Sequence, residues 1–392
     1  MDNLAHSLVG LTAAKAGLER WSPATAVVCV VAANASDIDV LTLFTGGRWS
    51  ALHYHRGLTH SIVGTAVLGI LIPTIFWLGD LLLGALRKRK PVIRYRGFLA
   101  ASLIAAATHP LMDWTNNYGV RLMLPWNGRW SYGDLMFIVD PYFWLIVGAA
   151  AFLLTSNRTS KLIAWCVLAA LVSVVLFLAT SGQAGLAHPY LVRAIWFGTI
   201  FVIAVVRATH TGQKLGPRLA MTSLLLVGVY WMILSGAHLR AYGETVARAN
   251  HLASQQNERV IKSAAMPTAA DPSRWLSVVE TDRAIYRFSV DLRNLNTESG
   301  FQRYEKSDPN DAAILLAERD PRAQIFLGFA RFPVTRLSDE NCIGQTVVQF
   351  ADIRYNEPGQ VRSNFSLGGA GGLPAKMTYR SFTTIHLKPP QQ

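Results

Sequence analysis

The sequence predicts an all-α polytopic membrane domain of about seven or eight membrane helices, followed by a small β-rich external domain. Three observations predict it. First, 51% of the 392 residues are hydrophobic and only 16% are charged, where a soluble protein carries about 25%; mean hydropathy is +0.26. Second, apolar runs of bilayer-crossing length, about 17–25 residues, recur through the first 240 residues. Third, composition after Leu239 turns polar and then alternates in strand fashion. The chain divides into a membrane domain over 1–240 with its motifs within 1–155, an amphipathic helix and linker over 241–272, and a β-rich extramembrane domain over 273–392.

The N-terminus has no basic region before its apolar stretch, and Asp2 stands where a signal peptide carries positive charge. Residue 1 onward is therefore expected in the mature chain. Residues 3–18 are apolar enough for an embedded or re-entrant helix. Spans are expected near 24–45, 61–86, 97–113, 136–155, 161–180, 190–207 and 218–237. Three basic loops fix the orientation: Arg87 to Arg96, Arg158 with Lys161, and Arg207 with Lys214 and Arg218. They fall on one side, which the positive-inside rule makes cytoplasmic. The outer side, a periplasm in a Gram-negative cell, then receives the 46–60, 114–135 and 181–189 loops and everything after about 238. Trp114, Trp126, Trp130, Tyr132, Tyr142 and Trp144 cluster as an interfacial belt would.

In the tail, 243–265 reads as an amphipathic helix and 267–272 as a linker or turn. Trp275–Glu280 and Ala284–Asp291 form a hairpin around Thr281-Asp282. Gln324–Phe332, Thr346–Tyr355 and Thr378–Leu387 read as strands, and Gly368–Gly372 as a flexible loop. Cys29, Cys166 and Cys342 are far apart and imply neither a disulfide framework nor a cysteine metal knuckle. The net charge of +13 is spent in loops flanking apolar runs, so membrane anchoring explains it and nucleic acid is not an expected partner.

The ionisable residues beside the spans are few and not scattered. Asp37 and Asp39 sit near the outer end of the first long span. His53, His55 and His60 frame the second, within His55-Arg56-Gly57-Leu58-Thr59-His60-Ser61, and His109 and Asp113 close the third. His6 joins them if 3–18 enters from outside. Such groups cost several kcal/mol in a membrane unless paired, ligated or wet. Gathering them at one face calls for a divalent cation, and imidazole plus carboxylate suits Zn²⁺, with Mn²⁺ or Fe²⁺ as alternatives. The i, i+4 spacing of His109 and Asp113 puts both on one helix face. Asp37 and Asp39 diverge on a helix, so one ligates while the other bridges or orients. Thr59 is a possible cap for the helix starting near His60. Arg56 matches an anionic substrate, since guanidinium fits phosphate. Asn116 and Asn117 are second-layer donors. Asp140, before Pro141, is either a helix N-cap or a further ligand or base.

Each motif has a bland alternative. A lone HxxxD pair is common, a DxD at a helix end is often a cap, and a His-Arg pair at an interface is often a headgroup anchor. Their shared face favours the metal. The ligand set is drawn from His6, Asp37, Asp39, His55, His60, His109 and Asp113, with Asp39, Arg56 and Asp140 as catalytic candidates. His53 reads as a loop residue, and His188, His210 and His238 as interface residues.

Met1-Asp2-Asn3-Leu4-Ala5-His6, Asp37-Ile38-Asp39, the 55–61 run, His109-Pro110-Leu111-Met112-Asp113 and Ile138-Val139-Asp140-Pro141 resemble the YdjM-type family of inner-membrane proteins, grouped as metal-dependent hydrolases. The 55–61 run is the most specific. The resemblance covers 1–155 well and the later spans loosely, and the tail resembles extensions found in some members. It implies an inner-membrane location and metal-dependent hydrolysis. The order of motifs is also distantly similar to zinc-dependent phospholipase C and P1-type nucleases, which cleave phosphoesters. Their later histidine ligands have no counterpart here, which implies one or two metals.

The expected function is a membrane-embedded hydrolase in which the metal activates water and Arg56 steadies the developing anion, acting on a membrane lipid or lipid-linked phosphoester. The rivals are an ion- or proton-coupled transporter, which would spread polar residues through the bilayer depth, and a membrane anchor with a structural metal and a partner-binding external domain.

Overall fold

The computed structural model describes residues 1–181, 188–295, 299–338, 346–355 and 382–387. Ten helices come first: α1 (Asn3–Lys15), α2 (Thr25–Ala33), α3 (Thr42–Tyr54), α4 (Ile62–Leu86), α5 (Tyr95–Trp114), α6 (Pro141–Thr155), α7 (Thr159–Ser181), α8 (Pro189–Ala208), α9 (Thr211–Leu215) and α10 (Pro217–Gln256). Four of them, α4, α7, α8 and α10, are long and apolar enough to cross a membrane. A fifth span arises if α2 and the segment through α3, bent by 50° at the break, count as one. The sequence reading of seven or eight spans is not reached. At 13 residues α1 is about 20 Å long and α6 has only 15 residues. α5 is long enough, at 20 residues, but carries Arg96, His109 and Asp113.

Two cores hold the helices that carry the N-terminal motifs, and a third joins Leu176 of α7 to Val192 and Trp196 of α8. One joins Leu8 and Val9 of α1 to Met112 of α5, Phe143 and Val147 of α6, and Val227 and Leu234 of α10. The other is built from small residues: Ala14, Cys29, Ala32, Ala33, Ala101, Ala105 and Ala106, with Phe98. Small side chains let helix backbones approach closely in a membrane, where lipid gives no hydrophobic drive to associate. Gly10 shows how close: a Cβ there would lie 2.6 Å from the Cys29 carbonyl oxygen.

The tail contains β1 (Val260–Thr268), β2 (Asp271–Thr281), β3 (Ala284–Asp291) and β4 (Ser299–Glu305), then α11 (Ala312–Ala317), α12 (Pro321–Phe329), β5 (Pro333–Ser338), β6 (Thr346–Asp352) and β7 (Phe382–Leu387). The strands form two antiparallel sheets, ordered β1-β2-β3-β4 and β5-β6-β7. The 275–291 hairpin read from the sequence is present as β2–β3, and β6 and β7 match two further strand readings. Gly368–Gly372 and Cys342 lie outside the described residues.

Three sequence readings are corrected. Residues 324–329 are helical: Asp320 caps α12 by accepting from Arg322 N–H at 2.8 Å, and Pro321 sits in its first turn. The expected amphipathic helix near 243 is the continuation of the last span, a single 40-residue helix about 60 Å long. Its end is earlier than expected, because β1 occupies 260–268. Ala249 and Ala253 on the upper turns of α10 are buried, and Thr245 shares a buried 2.7 Å hydrogen bond with Ser277 of β2. The sheet therefore rides on the helix that leaves the membrane domain.

Gly10→Ala should destabilise the protein by about 1–3 kcal/mol, the usual cost of overpacking. Gly79→Ala on α4, where a Cβ meets nothing within 4 Å, should leave the melting temperature in detergent unchanged.

Candidate metal centre

The centre is assembled from chain ends and turns. α2 stops at Asn34, and a 3₁₀ segment, Ala35–Leu41, carries Asp37 and Asp39. A second short turn, Leu58–His60, presents His60, and the last two turns of α5 present His109 and Asp113. The 55–61 run folds tightly. Arg56 takes φ +53, and a Cβ on Gly57 would meet the Tyr54 carbonyl at 2.6 Å. Ser61, not Thr59, caps α4, accepting from Gly64 N–H at 3.0 Å. Thr59 instead donates to Asp39 Oδ2 at 3.1 Å.

Four residues, Asp37, His60, His109 and Asp113, bring potential ligand atoms together. His60 Nε2 lies 3.2 Å from His109 Nε2, 3.4 Å from Asp37 Oδ1 and 3.3 Å from Asp113 Oδ2. His109 Nε2 lies 3.5 Å from both of those oxygens. A tetrahedral ion bound at about 2.0–2.1 Å holds its ligand atoms about 3.3 Å apart, so five edges of the tetrahedron already have the right length.

Tautomers agree with this. His109 Nδ1 donates to the Ala33 carbonyl at 2.7 Å, and His60 Nδ1 faces Asp39 Oδ2 at 3.2 Å. Each hydrogen bond fixes a tautomer whose Nε2 lone pair points to the cluster. Two Nε2 atoms 3.2 Å apart cannot both carry hydrogens between them. The donor set therefore fits a divalent ion, and the identity of that ion is not fixed by the residues.

Asp39 is the organiser of the neighbouring turn. Its Oδ1 is 3.0 Å from His55 Nδ1, while Oδ2 accepts the Arg56 backbone N–H at 3.0 Å and the Thr59 hydroxyl. Asp37, Asp39 and His55 also form a second group with ligand spacing, sharing Asp37 with the first. Asn3 Nδ2 donates to Asp37 Oδ2 at 2.7 Å, orienting the shared carboxylate.

The remaining predicted residues surround these groups without joining them. His6 is fully buried and stacks on His109, centroids 3.8 Å apart and planes at 11°. Its Nε2 is 3.5 Å from Asp113 Oδ1, and it lies in neither ligand group. Arg56 pairs with Asp113 Oδ1 at 3.0 Å and donates to Asn116 Oδ1 at 2.8 Å. The Met1 amino group also meets Asp113. Arg56 Nε and Asn116 Nδ2 are buried donors with no hydrogen-bond partner among the described residues. Asp140 is in neither ligand group: it caps α6 through Phe143 N–H at 2.9 Å and accepts the Tyr230 hydroxyl at 2.8 Å. Asp140 as ligand or base gives way to Asp140 as N-cap, the alternative that Pro141 had signalled.

Sequence reasoning missed Tyr118 and the C-terminal residues above it. Arg56 lies over the Tyr118 ring, 4.6 Å from its centroid, and Phe329 of α12 packs on the same ring at 4.8 Å. Arg354 donates to the Asn117 carbonyl at 2.8 Å and pairs with Asp352 at 2.7 Å. Burial opposes the Arg354 charge, yet the Asp352 carboxylate more than offsets it and raises its pKa further. Burial pushes the neighbouring Tyr355 hydroxyl up to about 12. Trp130 and Tyr132, read as belt aromatics, carry the C-terminal domain: Trp130 Nε1 donates to the Gly328 carbonyl at 2.8 Å, and Arg331 lies over Tyr132. No local sequence signal marks these contacts, because their partners are some 200 positions apart.

The class is thus a multi-helix membrane protein with a buried Asp/His cluster able to hold a metal ion. Residues 1–184 match the YdjM inner membrane protein family, as the motifs implied. No curated protein matches the chain, and no solved structure does.

Asp39→Asn should weaken zinc binding about 10–100-fold, the usual effect of losing an orienting carboxylate, without changing stoichiometry at saturation. Competition against a fluorescent chelator measures this, and an unchanged affinity would detach Asp39 from the centre.

Proposed function

We propose that the protein is a membrane-embedded, metal-dependent hydrolase acting on a phosphoester at the outer face of the inner membrane. The observation that carries this reading is the near-tetrahedral spacing of Asp37, His60, His109 and Asp113 beside a buried guanidinium. Imidazole and carboxylate together favour Zn²⁺, with Mn²⁺ or Fe²⁺ as alternatives. Because these four donors can close a tetrahedron, an ion held by them would lower the pKa of a water and polarise a scissile group only by releasing one donor or gaining a coordination position.

The chain's own residues have separable roles in this reading. Asp37 and Asp113 supply negative ligand atoms, and His60 and His109 supply neutral ones. Asp39 keeps His60 in the ligating tautomer. It does the same for His55, whose Nδ1 faces Asp39, so His55 Nε2 has the form of a general base. The Arg56 Nε and Asn116 Nδ2 donors are available to a phosphate oxygen. Orientation follows from the basic loops: Arg87 to Arg96, Arg158 and Arg207 lie at the helix ends opposite the cluster, and the positive-inside rule puts them in the cytoplasm. The cluster and the C-terminal domain then face the periplasm.

Metal analysis by ICP-MS on gently purified protein should return about one or two equivalents of zinc or manganese, lost in both His60→Ala and His109→Ala. Metal-loaded wild type should then turn over phosphoesters that the variants leave intact. Stoichiometric metal with no turnover of any phosphoester would move the reading to a structural metal. No metal after add-back would move it to ion or proton transport.

A further inference from the structure

We infer that the substrate is an amphiphile with a phosphate-bearing headgroup, drawn sideways from the outer leaflet, and that the C-terminal domain is a fixed roof excluding water-borne phosphoesters. This rests on reading the cluster as a hydrolytic site, and two independent sets of contacts lead to it.

The first set closes the top. Leu52 of α3 and Tyr118 share one core with Ile314, Phe326, Phe329 and Phe350 of the C-terminal domain. Around that core run three polar clamps: Arg354 to the Asn117 carbonyl at 2.8 Å, Arg331 to Asp134 at 2.8 Å, and Trp130 to the Gly328 carbonyl at 2.8 Å. Arg354 is fully buried on its side-chain atoms. A buried guanidinium shared between a carboxylate and a carbonyl of the other domain is costly to pull apart, so this contact is no loose encounter. Beneath it Tyr118 contacts both Phe329, at a tilt of 44°, and the Arg56 guanidinium, which makes Phe329 and Tyr118 positioning residues for the guanidinium.

The second set describes what stays open. The side chains of His6, His60 and His109 are fully buried, and those of Arg56, Asp39 and Asp113 nearly so. Only Asp37 and His55 keep appreciable exposure, 19% and 20%. Their chain neighbours are apolar and more than half exposed: Ile38 beside Asp37, Tyr54 beside His55, and Leu58 and Ile62 on either side of His60. Leu41 and Phe44 extend the same exposed apolar surface. Exposed Asn3, bonded to Asp37, and exposed His53 add polar points to this rim, but its large exposed side chains are hydrocarbon-compatible and lead to a site with buried cationic and amide donors. An amphiphile satisfies both requirements at once, with its chains along the rim and its phosphate on the donors.

The test is photolabelling of the full chain in lipid nanodiscs, which requires neither bound metal nor turnover. The probes are a phospholipid carrying a diazirine on its phosphate headgroup and the same headgroup without acyl chains. Labelling of 55–60 is normalised to the exposed 125–129 turn by peptide mass spectrometry. In wild type the lipid probe should label 55–60 about tenfold or more above the chain-free probe, a preference of about 1.4 kcal/mol. Opening the roof with Arg354→Ala should raise labelling of 55–60 by the chain-free probe severalfold. Phe329→Leu, which spares the buried charge, gives a second opening should Arg354→Ala fail to fold. Chain-free labelling of 55–60 in wild type equal to that of 125–129 would overturn the roof. Failure of the lipid probe to reach 55–60 would overturn lateral access. Loss of metal or of turnover strikes the hydrolase reading instead and leaves these labelling patterns unaffected.

Discussion

The arrangement depends on one constraint: carboxylates and imidazoles packed together away from water must satisfy each other or share a cation. Asp37, Asp39 and Asp113 converge with His55, His60 and His109 in a region where most of these side chains are inaccessible. Asp39 resolves most of the local problem by itself, taking the His55 ring, the Arg56 amide and the Thr59 hydroxyl on its two oxygens. Those bonds explain why Arg56 tolerates a left-handed backbone and why Gly57 follows it. The turn is shaped to bring two successive backbone and side-chain donors onto one carboxylate. What Asp39 cannot satisfy is the inner group, where two Nε2 lone pairs and two carboxylate oxygens face one another. Asp113 already has the Arg56 guanidinium and the Met1 amino group as partners, whereas Asp37 has an amide donor, Asn3, and imidazoles beside it; a divalent ion would neutralise what remains.

Much of this was legible in the sequence because chemistry-bearing residues in an apolar background are conspicuous. Asp37, His60, His109 and Asp113 were all marked, and the i, i+4 spacing of the last two translates directly into a shared helix face. The limits were equally physical. Asp140 before Pro141 leaves N-cap and ligand both open, and the Phe143 amide it accepts marks the cap, while the stacking of His6 on His109 depends on packing angles that no spacing encodes. Gln324–Phe332 reads as a strand from its apolar and aromatic content, yet Asp320-Pro321 just before it is a helix-start signal, and 324–329 are helical. Seven or eight spans are read from the sequence, and among the described residues four helices, or five with the bent pair, are long and apolar enough to cross a membrane; α1 and α5 pack against one another.

The C-terminal domain is legible in the sequence as a β-rich unit, but its contacts with the membrane domain are not, since they join residues some 200 positions apart. α10 supplies the mechanical reason those contacts are reproducible. A hinge between membrane domain and sheet would let the roof drift, whereas a single uninterrupted helix passes from Val227 and Leu234, packed within the bundle, to Ala249 and Ala253 beneath the sheet. Small residues on that face bring the sheet close, and the Thr245–Ser277 bond fixes its height along the helix. The second sheet and α12 are then delivered onto α3 and the 115–134 segment.

That geometry also weighs the hydrolase reading against transport. A transport path needs polar groups at successive depths, so that an ion leaving one site finds the next. Here the described ionisable residues along the long spans are few, and Asp80 of α4 is consumed at the far end by Arg89 and the amides of Val92 and Ile93. Between that structural staple and the cluster, α4 offers Thr65 and Thr74, neither of which titrates, and Pro73. Among the described residues the polar chemistry is concentrated at one end, which favours the proposed surface reaction over a path through the bilayer depth.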